Sequence, residues 1–467
     1  MITAEQINEY IDTDHGLISP RIFSSQEIFD LEQEKIFGRA WLYLAHDTQI
    51  PNPGDFFSTY MGTDPILVVR QKDRTVRAFL NYCRHRGMRV CRADQGRTPA
   101  FTCTYHGWSY DTAGSLVSVP NAEDAYRNEL DMGQWGLRQV PRLESYKGLI
   151  FGCFDESAPS LDDYLGDMKF HIDGYFDRRE GGVEIIGGVT KAKIPANWKI
   201  AAEQFAGDSY HAQYTHISAF SILAPEGMEE RRKLAEKAQI GSQMMMHAGR
   251  QSTMNGHGAG FLVEGSQGYA GTGGDPILDQ YEASIRPEIE ARLGPGYATM
   301  NGLHATVFPN LSWLNPARTL RVWQPKGPNA LECWSWIFVD KAAPDNVKEA
   351  FRWLTEKQFG PAGLAEQDDA ENWGLISGNL ASGGPQMHKV ALNYTMSLGH
   401  ETTEAPFPGQ ITPHLFGEIA QRGFYRRWAE YMTSAEWPTP GTRTDSSSSN
   451  GSSTNSSSNG SSSNGTH

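Results

Sequence analysis

Four residues on two short segments have the types and spacing of a metal site. Cys83-Arg84-His85 puts a thiol and an imidazole two positions apart, and Cys103-Thr104-Tyr105-His106 repeats the pair three apart. Each segment follows a strand-like run, so two loops lying side by side would aim two thiolates and two imidazoles at one centre. Two centres take that donor set: a tetrahedral zinc, or a 2Fe–2S cluster with two thiolates on one iron and two imidazoles on the other. Unliganded buried side chains are the plain alternative, and matched Cys/His pairs at short spacing argue against it. Zinc fingers usually place their histidines on a helix, whereas here each His lies within a turn of its own Cys. Cys91 falls between the halves, fits neither, and reads as a packing residue.

A second group begins with Asn197-Trp198-Lys199 and continues through Glu203, Asp208, His211 and His216. Two imidazoles and a carboxylate make the open triad of a mononuclear non-haem Fe(II); a pair of satisfied core histidines is the alternative. On an ideal helix Asp208 and His211 share a face, but His211 and His216 stand about 140° apart. They converge only if the helix ends or bulges between them. Further carboxylates lie in Glu366-Gln367-Asp368-Asp369-Ala370-Glu371, which could equally be a solvated helix face. A one-electron cluster and an open iron in one chain are what reductive activation of dioxygen requires, since the iron must receive electrons singly.

The two Cys/His pairs, with residues 86–102 between them, resemble the Rieske motif. Rieske proteins of respiratory complexes add a disulfide-forming Cys to each loop; Met88 and Tyr105 stand at those places here, a pattern that resembles ring-hydroxylating oxygenases and their ferredoxins. The stretch from Asn197 to His216 resembles the D-x-x-H-x(4)-H segment of naphthalene dioxygenase-type large subunits, and the resemblance spans roughly residues 20 to 440. It implies Cys83, His85, Cys103 and His106 as ligands of one 2Fe–2S cluster, and His211, His216 and Asp369, rather than Asp368, as ligands of one mononuclear Fe(II). Asp208 is implied as a catalytic bridge accepting hydrogen bonds from His211 of its own chain and His106 of a neighbouring subunit. The implied activity is cis-dihydroxylation of an aromatic ring with O2 and electrons from a ferredoxin and its reductase. The implied assembly is a ring of three large subunits, alone (α3) or with a small β subunit (α3β3).

Projected from the same resemblance, the pocket is lined by Phe205, Ala212, Phe220, His304, Leu314 and Phe359. Its apolar character favours a polycyclic or other large aromatic hydrocarbon over a carboxylated ring, which would need a buried Arg or Lys. Ala365 stands where naphthalene dioxygenase has a bulky residue, which implies a roomier pocket. A phthalate-type aromatic-acid dioxygenase, a Rieske monooxygenase and a non-catalytic Rieske electron-transfer protein remain as alternatives.

The elements that must position these groups are legible in outline. Ser24 and Glu27 resemble a capping box opening a helix through Ile28, Leu31 and Ile36 that ends near Gly38. Apolar runs at 66–69, 76–81 and 149–154 read as short strands of a small β domain. Later runs at 183–186, 190–194, 318–323 and 331–339 read as strands, the last two paired, with Leu331, Cys333, Ser335, Ile337 and Val339 on one face. Helical stretches are expected near 201–211 and 346–354. The expected fold is α+β: a small all-β Rieske domain (41–155) and a larger catalytic domain (156–445) with an antiparallel sheet covered by helices. Residues 1–40 form an N-terminal helical segment of the catalytic domain. Residues 446–467, almost wholly Ser, Asn, Gly and Thr, read as a disordered tail.

The Gly-rich stretch 256–274, after Met244, Met245 and Met246, is either a cover over a pocket or an ordinary surface loop. Gly256-His257-Gly258-Ala259-Gly260 lacks the strand-to-helix context of a dinucleotide fingerprint and reads as loop. The chain therefore offers no evident NADH or flavin site. With 467 residues, 41 Lys plus Arg against 55 Asp plus Glu and a net charge of −14, the electrostatic footprint of a nucleic-acid binder is absent. The mean hydropathy of −0.50 and the lack of a long apolar run argue against a membrane span. Five cysteines and no basic-then-apolar leader suggest a reducing cytoplasm. Arg84, Arg86, Arg89 and Arg97 near the cluster loops form the expected basic patch for an electron donor.

Overall fold

Antiparallel pairing organises both halves of the chain, which is a computed structural model describing residues 2–216, 247–263, 275–315 and 317–439. In the first half, Val76–Leu80, Asp64–Arg70, Asp55–Met61 and Gln95–Arg97 pair in that order. Ala100–Thr102, Ser109–Asp111 and Leu116–Ser118 form a second small sheet, and Leu149–Cys153 pairs with both Arg142–Tyr146 and Leu42–His46 to form a third.

Asp64–Arg70 explains why its apolar run is unbroken. Successive strand side chains point to opposite faces, so Ile66 and Val68 enter the main core while Leu67 and Val69 join a second core with Phe79, Cys83, Cys103, Trp108 and Tyr110. All four are fully buried, at about 1.5–3 kcal/mol of burial each. The second core is the floor beneath the two Cys/His loops.

The second half is built on nine antiparallel strands in the order Val183–Ile194, Ala330–Asp340, Thr319–Gly327, Leu311–Leu314, Asn301–Val307, His257–Leu262, Gly249–Met254, Phe407–Thr412 and Thr402–Glu404. The runs at 183–186 and 190–194 are one strand whose register shifts between Ile186 and Thr190. Ala330–Asp340 buries both faces: Leu331, Cys333 and Val339 lie on one, while Trp334 and Trp336 on the other pack edge-on or tilted against Tyr43, Phe57 and Tyr60 of the first half. A long strand with aromatics on its second face therefore joins the two halves through one core.

The helix Trp198–Gly207 lies on this sheet beside the helix Ile419–Thr433. Asn197 caps it by accepting the Lys199 N–H, and Ala201, Ala202 and Ala206 let it sit close to the strands. Lys199 and Glu32 are wholly buried and paired at 2.6 Å, and the indole N–H groups of Trp198 and Trp428 each donate to the Glu32 carboxylate at 2.8 Å. That fully bonded pair pins the N-terminal segment to the helices around the sheet.

Several expectations are corrected. The N-terminal cap is Ser25, not Ser24: Ser25 accepts the Ile28 N–H, and the helix Gln26–Glu32 runs through a π turn to Gly38. Only Gly256 of the run Gly256–Gly260 lies in a turn, because His257–Leu262 is a fully buried strand whose small residues fit between the helix above it and neighbouring side chains. The helical stretch 201–211 ends early, at Gly207. Met244–Met246, residues 264–274, Phe220 and the tail 446–467 lie outside the described residues.

Candidate metal centres and substrate cleft

The two Cys/His loops are near copies of each other in backbone geometry. Cys83 N–H donates to Met88 O at 2.6 Å and Cys103 N–H to Trp108 O at 2.8 Å; Gly87 N–H donates to Cys83 O at 2.8 Å and Gly107 N–H to Cys103 O at 2.9 Å. Gly87 and Gly107 hold φ of +77° and +72°, which closes both turns in the left-handed region. The loops bring the His85 and His106 rings to 4.5 Å between centroids, and His85 stacks on Trp108. Cys83 and Cys103 are buried and free of disulfides, and His85 Nδ1 is a buried nitrogen without a hydrogen-bond partner. Burial, then the nearby His106 and Arg86, holds His85 below its ordinary value, which favours the neutral ring that ligation needs. Buried thiols and an orphaned imidazole nitrogen converging from paired turns fit a 2Fe–2S cluster. Tyr110 supports them from below: its hydroxyl lies 3.4 Å from Cys83 Sγ and accepts the Arg84 N–H at 3.1 Å.

The second centre depends on a helix that stops. Gly207 packs where a Cβ would meet Ala420 at 2.7 Å, and Asp208 then turns to extended backbone. Asp208 Oδ1 accepts the His211 N–H at 3.1 Å and starts the short helix Ala212–Thr215, which His211 and His216 flank. The break thus falls before His211, not between the two histidines, and their rings meet edge to face at 5.3 Å.

Asp369, on the helix Glu366–Ser382, completes the group: its Oδ1 is 3.4 Å from His211 Nε2 and 3.5 Å from His216 Nε2. These ligand atoms all lie within 4.8 Å of one another. Donors about 2.0–2.2 Å from one metal ion sit at about such separations, and Asp369 Oδ1 is a buried oxygen with no hydrogen-bond partner. Two imidazoles and one carboxylate suit Fe(II) with open positions. Helix rotation separates the adjacent aspartates: Asp369 is buried toward both Nε2 atoms, while Asp368 Oδ2 lies 3.4 Å from His216 Nδ1. Burial opposes charge on His211, but the hydrogen bond and charge of Asp208, with Asp369 adding to them, outweigh it and raise His211 to about 9.

A cleft of about 160 Å³ opens on His211, His216 and Asp369. Of the expected pocket residues, Phe205, Ala212, His304, Leu314 and Phe359 line it, and Leu303 adds a further apolar wall. Ala365 does not line the described part; it is the N-cap of the helix that carries Asp369. The buried Arg321 lies over the Phe205 and Phe359 rings at 5.0 and 5.1 Å and is paired with Glu366 at 2.7 Å. The basic patch is thinner than charge counting suggests, since Arg97 pairs with Asp55 and Arg84 covers Trp135.

Residues 40–145 match the Rieske [2Fe-2S] domain, and residues 161–434 match the ring hydroxylating alpha subunit (catalytic domain). The chain belongs to the ring-hydroxylating dioxygenase alpha subunits. It is 42% identical over 451 residues to the benzene 1,2-dioxygenase subunit alpha of Pseudomonas putida (92% of this chain, 94% of that one). It is 43% identical over 437 residues to the biphenyl 2,3-dioxygenase subunit alpha of Rhodococcus jostii (92% of each chain). A naphthalene 1,2-dioxygenase variant bound to phenanthrene superposes with a TM-score of 0.84 at 34% identity, covering 93% of this chain and 96% of that one.

The alpha subunit is thus an oxidoreductase, the terminal oxygenase that carries a Rieske cluster and a mononuclear iron and works with a ferredoxin and reductase. Its α+β architecture, with an all-β Rieske part and a large antiparallel sheet covered by helices, is that of naphthalene dioxygenase. No helix among its described residues is long and apolar enough to cross a membrane.

Sequence reasoning about this alpha subunit missed Gln204, Leu303 and Ser209. Gln204 Nε2 lies 3.4 Å from His211 Nε2 while its Oε1 accepts from Trp373 at 2.6 Å. Gln204 and His211 are separated by the end of a helix, which periodicity does not reveal. Leu303 and His304 are consecutive strand residues that both border the cleft where strand pairing is irregular opposite Gly260 and Phe261.

Proposed function

We propose that this oxygenase cis-dihydroxylates neutral aromatic hydrocarbons, polycyclic ones included, with Cys83, His85, Cys103 and His106 holding the cluster and His211, His216 and Asp369 the iron. The observation that carries the substrate reading is the apolar cleft at the triad, walled by Phe205, Ala212, Leu303, Leu314 and Phe359. The Arg321 charge is neutralised by Glu366, so among the described residues lining the cleft a substrate carboxylate would meet no unpaired Arg or Lys. The names of the relatives, benzene and biphenyl, and the phenanthrene bound to the similar structure support the same class. When bound, the two metals supply single electrons and a site for dioxygen.

The chain's own residues orient and exclude. The walls hold a flat ring against His211, His216 and Asp369 and keep water off it. Asp208 and Asp368 orient the two imidazoles through their outer nitrogens, which fixes the tautomer of each ligand.

We infer an α3 or α3β3 assembly in which Asp208 meets His106 of the neighbouring subunit. A second cavity of about 540 Å³ shares Gln204, Asp208 and His211 with the cleft. Tyr210, Ile376 and Leu375 near it are exposed apolar side chains, as is Tyr105 beside His106, which suits burial against a protein. Residues 1–40 are assigned to the catalytic part on the strength of the Glu32–Lys199 contact, with 41–155 as Rieske domain and 156–445 as catalytic domain.

Turnover of naphthalene, biphenyl, phenanthrene and phthalate with ferredoxin and reductase tests the function. Cis-dihydrodiols from the neutral rings and none from phthalate are expected; monohydroxylated products alone would overturn dioxygenation. Iron analysis should give about three irons per chain, and His211→Ala about two with the visible spectrum of the cluster intact.

A further inference from the structure

We propose that Ser209 and His304 form a hydrogen-bond acceptor subsite in the substrate cleft, selecting aromatic rings that carry an N–H or O–H donor and fixing which edge faces the iron ligands. This rests on the aromatic-ring reading above and adds a polar contact that an apolar cleft does not need.

The direction of each bond is dictated by chemistry. His304 Nδ1 lies 3.0 Å from the Phe205 backbone oxygen, and a carbonyl can only accept, so Nδ1 carries the proton. His304 is buried; burial, opposed by the Phe205 bond, lowers it to about 4, so Nε2 is bare. Ser209 Oγ is 2.6 Å from that Nε2 and must donate its one proton there. Both side chains border the cleft, and what Ser209 has left to offer is lone pairs. The relay thus presents an acceptor and no donor.

The pair is a built feature. His304 pairs across the sheet with Gly260, where a Cβ would meet the imidazole at 2.4 Å, so the glycine reserves the space the ring fills. Among the described residues Ser209 Oγ makes no second hydrogen bond. A hydrocarbon in the cleft leaves a buried acceptor unsatisfied, whereas a ring donor satisfies it. Because Ser209 precedes His211 by two residues, a donor bound there also sets the ring's rotation over the triad.

The test compares indole with indene, which exchange a ring N–H for CH2 at nearly the same size, in the reconstituted holoenzyme. Ser209→Ala alone would bare His304 Nε2 as a substitute acceptor, so the decisive variant is Ser209→Ala/His304→Leu. The ratio of kcat/KM for indole over indene should fall about 3–10-fold from wild type to the double variant, at unchanged iron and cluster content, while Ser209→Thr keeps the wild-type ratio. A packing defect would slow both probes alike and leave the ratio in place. Oxidation of both probes with a ratio unmoved by the double substitution overturns the subsite alone. Oxidation of neither probe defeats the aromatic-ring reading and the subsite with it.

Discussion

Asp208 faces the outer nitrogen of His211: Oδ2 is 3.3 Å from Nδ1, while Nε2 of the same ring faces Asp369. One imidazole therefore has a carboxylate at each end, one placed to orient it and one placed to share the proposed iron. Asp208 can occupy that position because it lies just past the helix end, where its backbone is extended and its side chain can turn back to the His211 N–H.

Asp208→Asn separates orientation from ligation. The amide keeps the size and loses the charge, so both metals should stay while coupled turnover falls about 10–100-fold. Iron, acid-labile sulfide and product formation measured on one preparation check this; wild-type turnover would refute it.

Tyr110→Phe should lower the reduction potential of the cluster. A hydrogen bond to a cluster sulfur favours the reduced, more negative state, and Tyr110 is 3.4 Å from Cys83 Sγ. Loss of a bond worth about 1 kcal/mol corresponds to about 40 mV in a one-electron step. A spectroscopic redox titration reads it; an unchanged or higher potential contradicts the role.

Stability should fall as pH drops from 6.5 towards 4. Burial lowers both His46 and His257 from 6.5 to about 4, and His257 is locked neutral by accepting the Phe308 N–H at Nδ1 and meeting the Tyr164 carbonyl at Nε2. Across that window the unfolded chain takes up protons that the folded chain refuses, which costs about 3 kcal/mol per histidine by pH 4. Urea midpoints between pH 7.5 and 4.5 measure the trend; a flat profile would count against it.

Glu32→Gln should destabilise the protein by about 3–5 kcal/mol, because it leaves Lys199 charged, buried and unpaired. Glu32→Gln/Lys199→Met removes the stranded charge and should recover part of the loss. Thermal melting of the two variants distinguishes this from simple loss of packing, which the double variant would deepen.

What the sequence determined by itself is local chemistry. Two Cys/His pairs, each completed by a glycine four residues after its Cys, specify two like turns, because the left-handed residue and the ligands are near neighbours in the chain. The unbroken apolar run Ile66 to Val69 within Asp64–Arg70 specifies a strand in the same way. Tertiary structure decided whatever depended on distant packing. It turned Asp369 toward the Nε2 atoms of both histidines and Asp368 toward the Nδ1 of His216 alone, through the rotation of a helix more than 150 residues away that periodicity does not reveal. It packed Gly207, the last residue of the helix, against Ala420 and Gln251 where no side chain fits, and it turned most of a glycine-rich run that reads as loop into a buried strand. It also set His304 on Gly260 within reach of Ser209, a contact across 95 residues that no local pattern encodes. Short-range sterics are written in consecutive residues; register, helix rotation and the meeting of side chains on separate elements are settled only when the core closes.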